Sequence, residues 1–299
     1  MLSWWGQRDR PLKRDSQGVN TDLLVPAVLD AAADAGMRVS WHVEPYGDRS
    51  PQSVLEDMNY LHAQYGGHRA IWRHGERQLP LVFLYDVSFE HSGSGEEYQR
   101  TVNDWKTALA KLRGGPADAI LLSLYHDKRD IGFVHSTGFD GAYTYFAAEG
   151  FTEGSTLAHW ATAQRELRAS GKLFVPSVGP GYLDTGIRPW NHANTKERQR
   201  GAYYDKMWQA ALDLEPFAVT ITSYNEWGEG TQIEPARPHT TRGGTRYEDY
   251  GEDGPDFYME RTRWWTAKAK RQCGSMTKKG EAPHVAAPRM VVASSPDEL

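Results

Sequence analysis

Phe217-Ala218-Val219-Thr220-Ile221-Thr222 is an apolar, β-branched run that opens directly into Ser223-Tyr224-Asn225-Glu226-Trp227-Gly228-Glu229-Gly230. The run reads as a buried strand. The residues after it cannot continue as a helix, because Gly228 and Gly230 break it. Glu226 and Glu229 are therefore expected at the carboxyl end of a strand, where α/β folds bind ligands. Two nearby carboxylates with an aromatic side chain between them suit cleavage of a glycosidic bond. One acid protonates the leaving oxygen and the other helps the sugar expel it. Read alone, the pair could equally be two solvated loop acids, so the weight falls on the neighbouring segments.

Upstream, the chain alternates strand and helix. Strands are expected to begin near Ser3, Val39, Val82, Ile120, Tyr143, Phe174 and Val219. Helices are expected over 21–37, 50–65, 96–113, 127–136, 155–170, 202–214 and 255–273. Thr21 is the expected cap of the first helix and Pro51 sits in the first turn of the second. The strands are apolar throughout, as in a parallel sheet covered on both faces. Seven strands fit either an open doubly wound sheet or an eight-stranded barrel short of its first unit.

The ends of the strands favour the barrel. Trp4 and Trp5 end the first, and His42, Glu44 and Tyr46 end the second. Tyr85 and Asp86 follow the third, Tyr125 and His126 the fourth, and Tyr143 and Tyr145 the fifth. Tyr182 follows the sixth; Glu226, Trp227 and Glu229 follow the seventh. A barrel gathers all these ends on one rim, whereas an open sheet scatters them along an edge. Singly, each has a plain structural reading: a strand-end Trp as core, His42 as a hydrogen-bonded packing residue, Asp86 as a cap. Glu44 is harder to dismiss, because a carboxylate in a strand before a proline needs partners.

Composition narrows the classes. The 299 residues carry a net charge of −5, which argues against a nucleic-acid partner. Eleven Trp and fifteen Tyr are an unusual density of amphipathic rings, suited to stacking on sugars. The single Cys273 excludes an internal disulfide. No metal-ligand spacing or phosphate loop is present, and the Gly93-Ser94-Gly95 segment is too degenerate for a serine-hydrolase elbow. No run of 18 apolar residues suggests a membrane span. Residues 274–299 are rich in Pro, Ser, Lys and Ala without periodicity and read as a disordered tail.

Several ordered motifs carry a specific resemblance. Trp41-His42-Val43-Glu44-Pro45-Tyr46, 138–146, 176–185, Ile187-Arg188-Pro189-Trp190-Asn191 and 222–234 are similar to the motifs of glycoside hydrolase family 99, the endo-α-1,2-mannosidases and endo-α-1,2-mannanases. The resemblance runs from about residue 2 to 270. It implies an α/β fold of the (β/α)8 TIM-barrel type lacking, in this chain, its first β/α unit. Residues 1–273 would form the barrel, with seven of eight strands. The implied activity is retaining hydrolysis of internal α-1,2-mannosidic bonds in N-glycans or mannan. Glu226 would act as base on the sugar 2-hydroxyl to form a 1,2-anhydro sugar, with Glu229 as general acid/base. Glu44, Tyr85 and Tyr145 fall in motifs that line the family's sugar subsites, and Trp5 at a position tied to the outermost one. With the strand-end residues His42, Tyr46, Asp86, Tyr182 and Trp227 they make up the expected substrate-binding set. No cofactor or metal is implied. The expected partner is an α-mannoside glycan, not nucleic acid or membrane, and the expected state is a monomer. The expected place is the secretory pathway (Golgi) in a eukaryote, or outside the cell in a bacterium. Without the first unit, the alternative is a catalytically impaired carbohydrate-binding barrel remnant. A different retaining glycosidase, with a carboxylate as direct nucleophile, is a further alternative.

Overall fold

The computed structural model describes all residues except 16, 89–94, 245, 248, 278–288 and 293–299, and describes 273–277 and 289–292 by their backbone alone. Two compact units emerge. One comprises Met1–Tyr143 with Glu166–Leu173; the other comprises Thr144–Arg165 and the chain from Phe174 onward.

The first unit is built on parallel strands β1 (Leu2–Trp4), β2 (Trp41–Val43), β4 (Leu79–Leu84), β5 (Ile120–Leu124) and β6 (Gly141–Tyr143), neighbours in that order. β3 (Arg73–His74) lies antiparallel to the start of β4. That hairpin departs from expectation, because two residues carry no periodicity to read. The register pairs Ser3 with His42 and His42 with Phe83, so these side chains share one face of the sheet. Every residue of β5 is buried, as are Val82, Phe83 and Leu84 of β4. Each large apolar side chain buried in this way contributes about 1.5–3 kcal/mol. Gly141 is required where it stands: a Cβ there would lie 2.2 Å from the Leu173 carbonyl oxygen.

Helix α2 (Pro51–Tyr65) starts as its sequence dictates, with Ser50 and Ser53 exchanging a reciprocal capping box and Pro51 in the first turn. Helix α3 (Gly95–Leu112) stops before Gly114, which has φ +78°. Helix α4 is Arg129–Thr137. The first helix differs from expectation. A 3-10 turn, Thr21–Leu24, precedes α1 (Val25–Asp34), and the cap is Asn20, whose side chain accepts from the Asp22 amide. That frees the Thr21 hydroxyl to accept from the Trp5 amide at 3.0 Å.

In the second unit β8 (Ser177–Val178), β9 (Ala218–Ile221) and β10 (Arg289–Val292) form a parallel sheet in the order β10-β9-β8. β7 (Leu173–Val175) and α5 (Leu157–Ala169) precede it in the chain. Helices α6 (Ala202–Asp213) and α7 (Phe257–Thr277) share an aromatic core: Trp208 stacks on Trp265 at 6.0 Å, and Tyr204 meets Tyr258 edge-on at 5.7 Å. The expected disordered tail is corrected at two places. Helix α7 runs on to Thr277, and Arg289-Met290-Val291-Val292 pairs with β9. The second segment is β-prone in sequence and finds an open strand edge. The rest of that tail lies outside the described residues, as does the Gly93-Ser94 segment.

Candidate active site

In the first unit the second strand delivers a locked carboxylate. His42 and Glu44 are two residues apart on an extended backbone, so their side chains lie on the same side. His42 Nδ1 meets Glu44 Oε1 at 2.6 Å, and His42 Nε2 meets the Tyr143 hydroxyl at 2.9 Å. The Ser3 hydroxyl donates to the same Glu44 oxygen at 2.8 Å. Burial, and then the nearby Glu44 charge, push the Tyr143 hydroxyl well above its ordinary pKa. It stays protonated, and its bond to Nε2 fixes the imidazole with Nδ1 facing Glu44. His42 and Tyr143 are fully packed, while Glu44 remains partly accessible. Both bonds fall on Oε1.

The loop between β1 and α1 rests on two buried acids. Asp22 accepts from Trp4 Nε1 (2.9 Å), Arg8 Nε (2.9 Å), Tyr60 (2.6 Å) and Tyr65 (2.9 Å). Burial opposes its charge, but these donors outweigh it and hold the carboxyl below its usual range. Asp57 accepts from Lys13, Tyr46 and Gln7, and here burial wins and pushes the carboxyl up. Trp5, half-buried beside this network, keeps a buried Nε1 without a partner.

In the second unit β9 feeds the acid-bearing loop. Glu226, Trp227 and Glu229 are half-buried or nearly so. The loop is fixed through its backbone: the Glu226 amide donates to Ser223 Oγ (2.9 Å), the Thr231 amide to the Glu226 carbonyl (3.2 Å), and the Leu183 amide to the Glu229 carbonyl (2.8 Å). Arg198, buried, donates to the Gly230 and Gln232 carbonyls at 2.9 and 3.0 Å. Three glycines let these segments close up. A Cβ on Gly179 would lie 2.3 Å from the Ala147 Cβ, on Gly181 2.8 Å from the Lys196 carbonyl, and on Gly230 2.9 Å from the Leu183 carbonyl. Arg188 Nη1 donates to Glu229 Oε1 at 3.0 Å and to Asp184 Oδ2 at 3.2 Å. Burial opposes the Arg188 charge, but the Glu229 and Asp184 carboxylates outweigh it.

The expected sugar-binding residues divide by where their polar atoms point. His42 and Tyr46 are buried with those atoms on protein partners, Tyr46 on Ser53 and Asp57. Tyr85 is half-buried with its ring against His42 at 5.8 Å, and Arg49 donates to the carbonyl of Asp86 at 2.7 Å. Tyr145 is half-buried beside Phe146. Tyr182 donates to Asp184 at 2.9 Å, and burial, then the Glu229 charge, keep its hydroxyl protonated. Trp227 donates its indole N–H to Glu234 and meets Tyr247 edge-on at 6.1 Å. Ser3 and Asp184 join the polar framework without having been expected there. The strand register opposite His42 is the signal for the first; nothing local signals the second. Among the described residues no group of three or more His, Cys, Asp or Glu is placed to hold a metal ion, and no helix is long and apolar enough to cross a membrane.

The model of glycosyl hydrolase family 99 matches residues 1–271. The chain is 38% identical over 279 residues to the glycoprotein endo-alpha-1,2-mannosidase of Rattus norvegicus, covering 91% of this chain and 57% of that protein. It is 40% identical over 274 residues to the glycoprotein endo-alpha-1,2-mannosidase-like protein of Homo sapiens, covering 89% and 56%. It thus spans little more than half the length of these relatives. The solved family 99 endo-alpha-mannosidase of Bacteroides thetaiotaomicron, in complex with bis-tris-propane, is 38% identical with a TM-score of 0.76, covering 89% of this chain and 78% of that one. The α/β fold of barrel type expected from the sequence is the fold the chain shares with that structure. By the family model and by these relatives, the chain belongs to glycosyl hydrolase family 99.

Proposed function

We propose that the chain is a retaining endo-α-1,2-mannosidase in which Glu226 and Glu229 carry the chemistry. The supporting observation is the loop after β9: two partly accessible carboxylates on a backbone fixed by Ser223, Thr231 and Arg198. Family membership and the likeness to endo-alpha-1,2-mannosidases point the same way.

Glu226 takes the proton of the 2-hydroxyl, and O2 attacks C1. The bond from C1 to the leaving oxygen breaks, and Glu229 gives its proton to that oxygen. The products of this half are a 1,2-anhydro sugar and the departing glycan. Glu229, now a carboxylate, takes a proton from water as the water oxygen attacks C1. The C1–O2 bond opens, and Glu226 returns its proton to O2. Two inversions at C1 give net retention. Glu44 accepts a sugar hydroxyl, while Trp5 and Tyr145 offer aromatic faces to the sugar rings.

The test is incubation with an α-1,2-linked manno-oligosaccharide bearing a 1,3-linked outer sugar, with products sized by chromatography. Release of an intact disaccharide, abolished in Glu226→Gln, is expected. Binding without release, in folded protein, would favour the impaired remnant. A covalent glycosyl-protein adduct would favour a direct carboxylate nucleophile.

A further inference from the structure

We propose that the strand β10 is a positioning element for the two candidate acids: its backbone completes the ladder along the second edge of β9 and so holds the loop that carries Glu226 and Glu229. The part of the inference that concerns activity rests on the reading of those two residues as the reacting acids.

The register assigns the two edges of β9. On one side β8 sets Ser177 beside Thr220 and Val178 beside Ile221. The Thr220 amide donates to the Pro176 carbonyl at 3.0 Å and the Thr222 amide to the Val178 carbonyl at 2.9 Å. Backbone N–H and C=O groups alternate sides along a strand, so Val219 and Ile221 turn theirs the other way, toward β10. There the parallel register sets Met290 beside Val219, Val291 beside Thr220 and Val292 beside Ile221. The slanted bonds of a parallel pair then bring the Val291 N–H to the Val219 carbonyl and the Ile221 N–H to the Val291 carbonyl. Met290 and Val292 aim their N–H groups away from β9, on the side where, among the described residues, no further strand follows.

Both edges of β9 need partners, because all four of its residues are buried. A buried backbone donor or acceptor left without a partner is costly. Among the described residues, β10 is the strand that meets this need on the edge away from β8. The site hangs on the end of that ladder. Thr222 and Ser223 follow Ile221 directly. The Ser223 amide donates to the Thr231 carbonyl at 3.0 Å, its hydroxyl meets the Thr231 hydroxyl at 2.9 Å, and its Oγ accepts from the Glu226 amide at 2.9 Å. Ser223 therefore ties the strand end to both limbs of the acid-bearing loop. Fraying of β9 on the β10 side loosens the peptide beneath Glu226. A displacement of about 1 Å at a reacting group costs up to about 10²-fold in rate.

The test is amide hydrogen exchange on the full chain, resolved by residue, beside steady-state hydrolysis of the α-1,2-linked manno-oligosaccharide. In the wild type the Ile221 and Val291 amides should exchange at least about tenfold more slowly than those of Met290 and Val292. A Val291 amide as fast as its two neighbours would overturn the pairing. Val291→Pro removes the inward N–H. It should speed exchange at Ile221, Ser223 and Glu226 about tenfold and lower kcat about tenfold, with KM within about twofold of the wild type. Val292→Pro removes an outward N–H, which an edge strand tolerates, and its effects should be at least about fivefold smaller. Equal effects of the two prolines, or unchanged exchange at Ser223 and Glu226 in Val291→Pro, would refute the proposal. If the wild-type chain does not cleave the oligosaccharide, the functional reading fails, and exchange at Ser223 and Glu226 decides the positioning by itself. If Val291→Pro does not fold, the wild type in urea below its unfolding transition decides. Val291, Ile221, Ser223 and Glu226 opening as one unit supports the proposal; Val291 opening well before Ser223 and Glu226 overturns it.

Discussion

Glu44 and Glu229 are both partly accessible carboxylates, yet the two units hold them by different means. Glu44 follows a strand, and its side chain is clamped by Ser3 and by a buried imidazole that a buried tyrosine in turn orients. Glu229 stands on an irregular loop whose backbone is clamped, and its side chain meets a half-exposed arginine. A group that recognises a ligand gains from having its own atoms fixed, because little ordering remains to be done on binding. A group that passes a proton back and forth must change partners during the reaction, so fixing the peptide beneath it is the compatible solution.

The sharpest way to break this contrast is Glu229→Gln. Loss of a general acid should reduce kcat about 10²- to 10⁴-fold with little change in KM, measured by steady-state hydrolysis. A comparable rise in KM would place Glu229 among the recognition groups. Next in size is Asp22→Ala, which strands the Arg8 charge and three neutral donors beneath the β1–α1 loop. It should cost about 3 kcal/mol in a urea unfolding curve. An unchanged midpoint would show that the loop does not depend on its buried acid.

Tyr143→Phe is smaller and more discriminating. It removes the hydroxyl that meets His42 Nε2, a penalty of about 1–2 kcal/mol. If the tyrosine acts through Glu44, the variant should raise KM roughly tenfold and spare kcat. A fall in kcat alone would remove Glu44 from the recognition role.

The smallest effect is on acid stability. Asp22 has its folded pKa below the unfolded value of about 3.9, so its contribution is present above that pH and is lost as pH falls through the folded value. Asp57 has its folded pKa raised, so its contribution has the opposite sign: it is present at low pH and lost as pH rises through the folded value. The two partly offset each other in the wild type. Replacing Asp57 by Asn should therefore steepen the fall of Tm between about pH 5 and 3, and Asp22→Asn should flatten it. Identical slopes in both variants would mean that neither acid governs this limb.

Much of this is legible in the sequence because it is periodic or local. Apolar runs mark the longer parallel strands β4, β5 and β9, and alternation alone puts His42 and Glu44 on one side. The features that escape are short or distant. β3 has two residues, and β10 lies in a polar, proline-rich stretch with no pattern around it. Asp22 reads as the first turn of a helix capped by Thr21, because four donors from β1, its following loop and α2 cannot be inferred from one position. The approach of Arg188 to Glu229 spans 41 residues and depends on a buried aspartate that only the folded turn reveals.

The close approach at Gly179, Gly181 and Gly230 bears on how such a chain can diversify. Any added carbon at these positions meets backbone or a buried side chain, and Gly230 has φ +61° besides. Drift in the residues that hold the acids' loop would be purged before it was sampled. Change is left to positions whose alteration leaves that scaffold untouched, such as the solvent-facing Trp190. A lineage descending from this protein would be expected to vary at such exposed positions far more readily than in the glycines that let this loop close up.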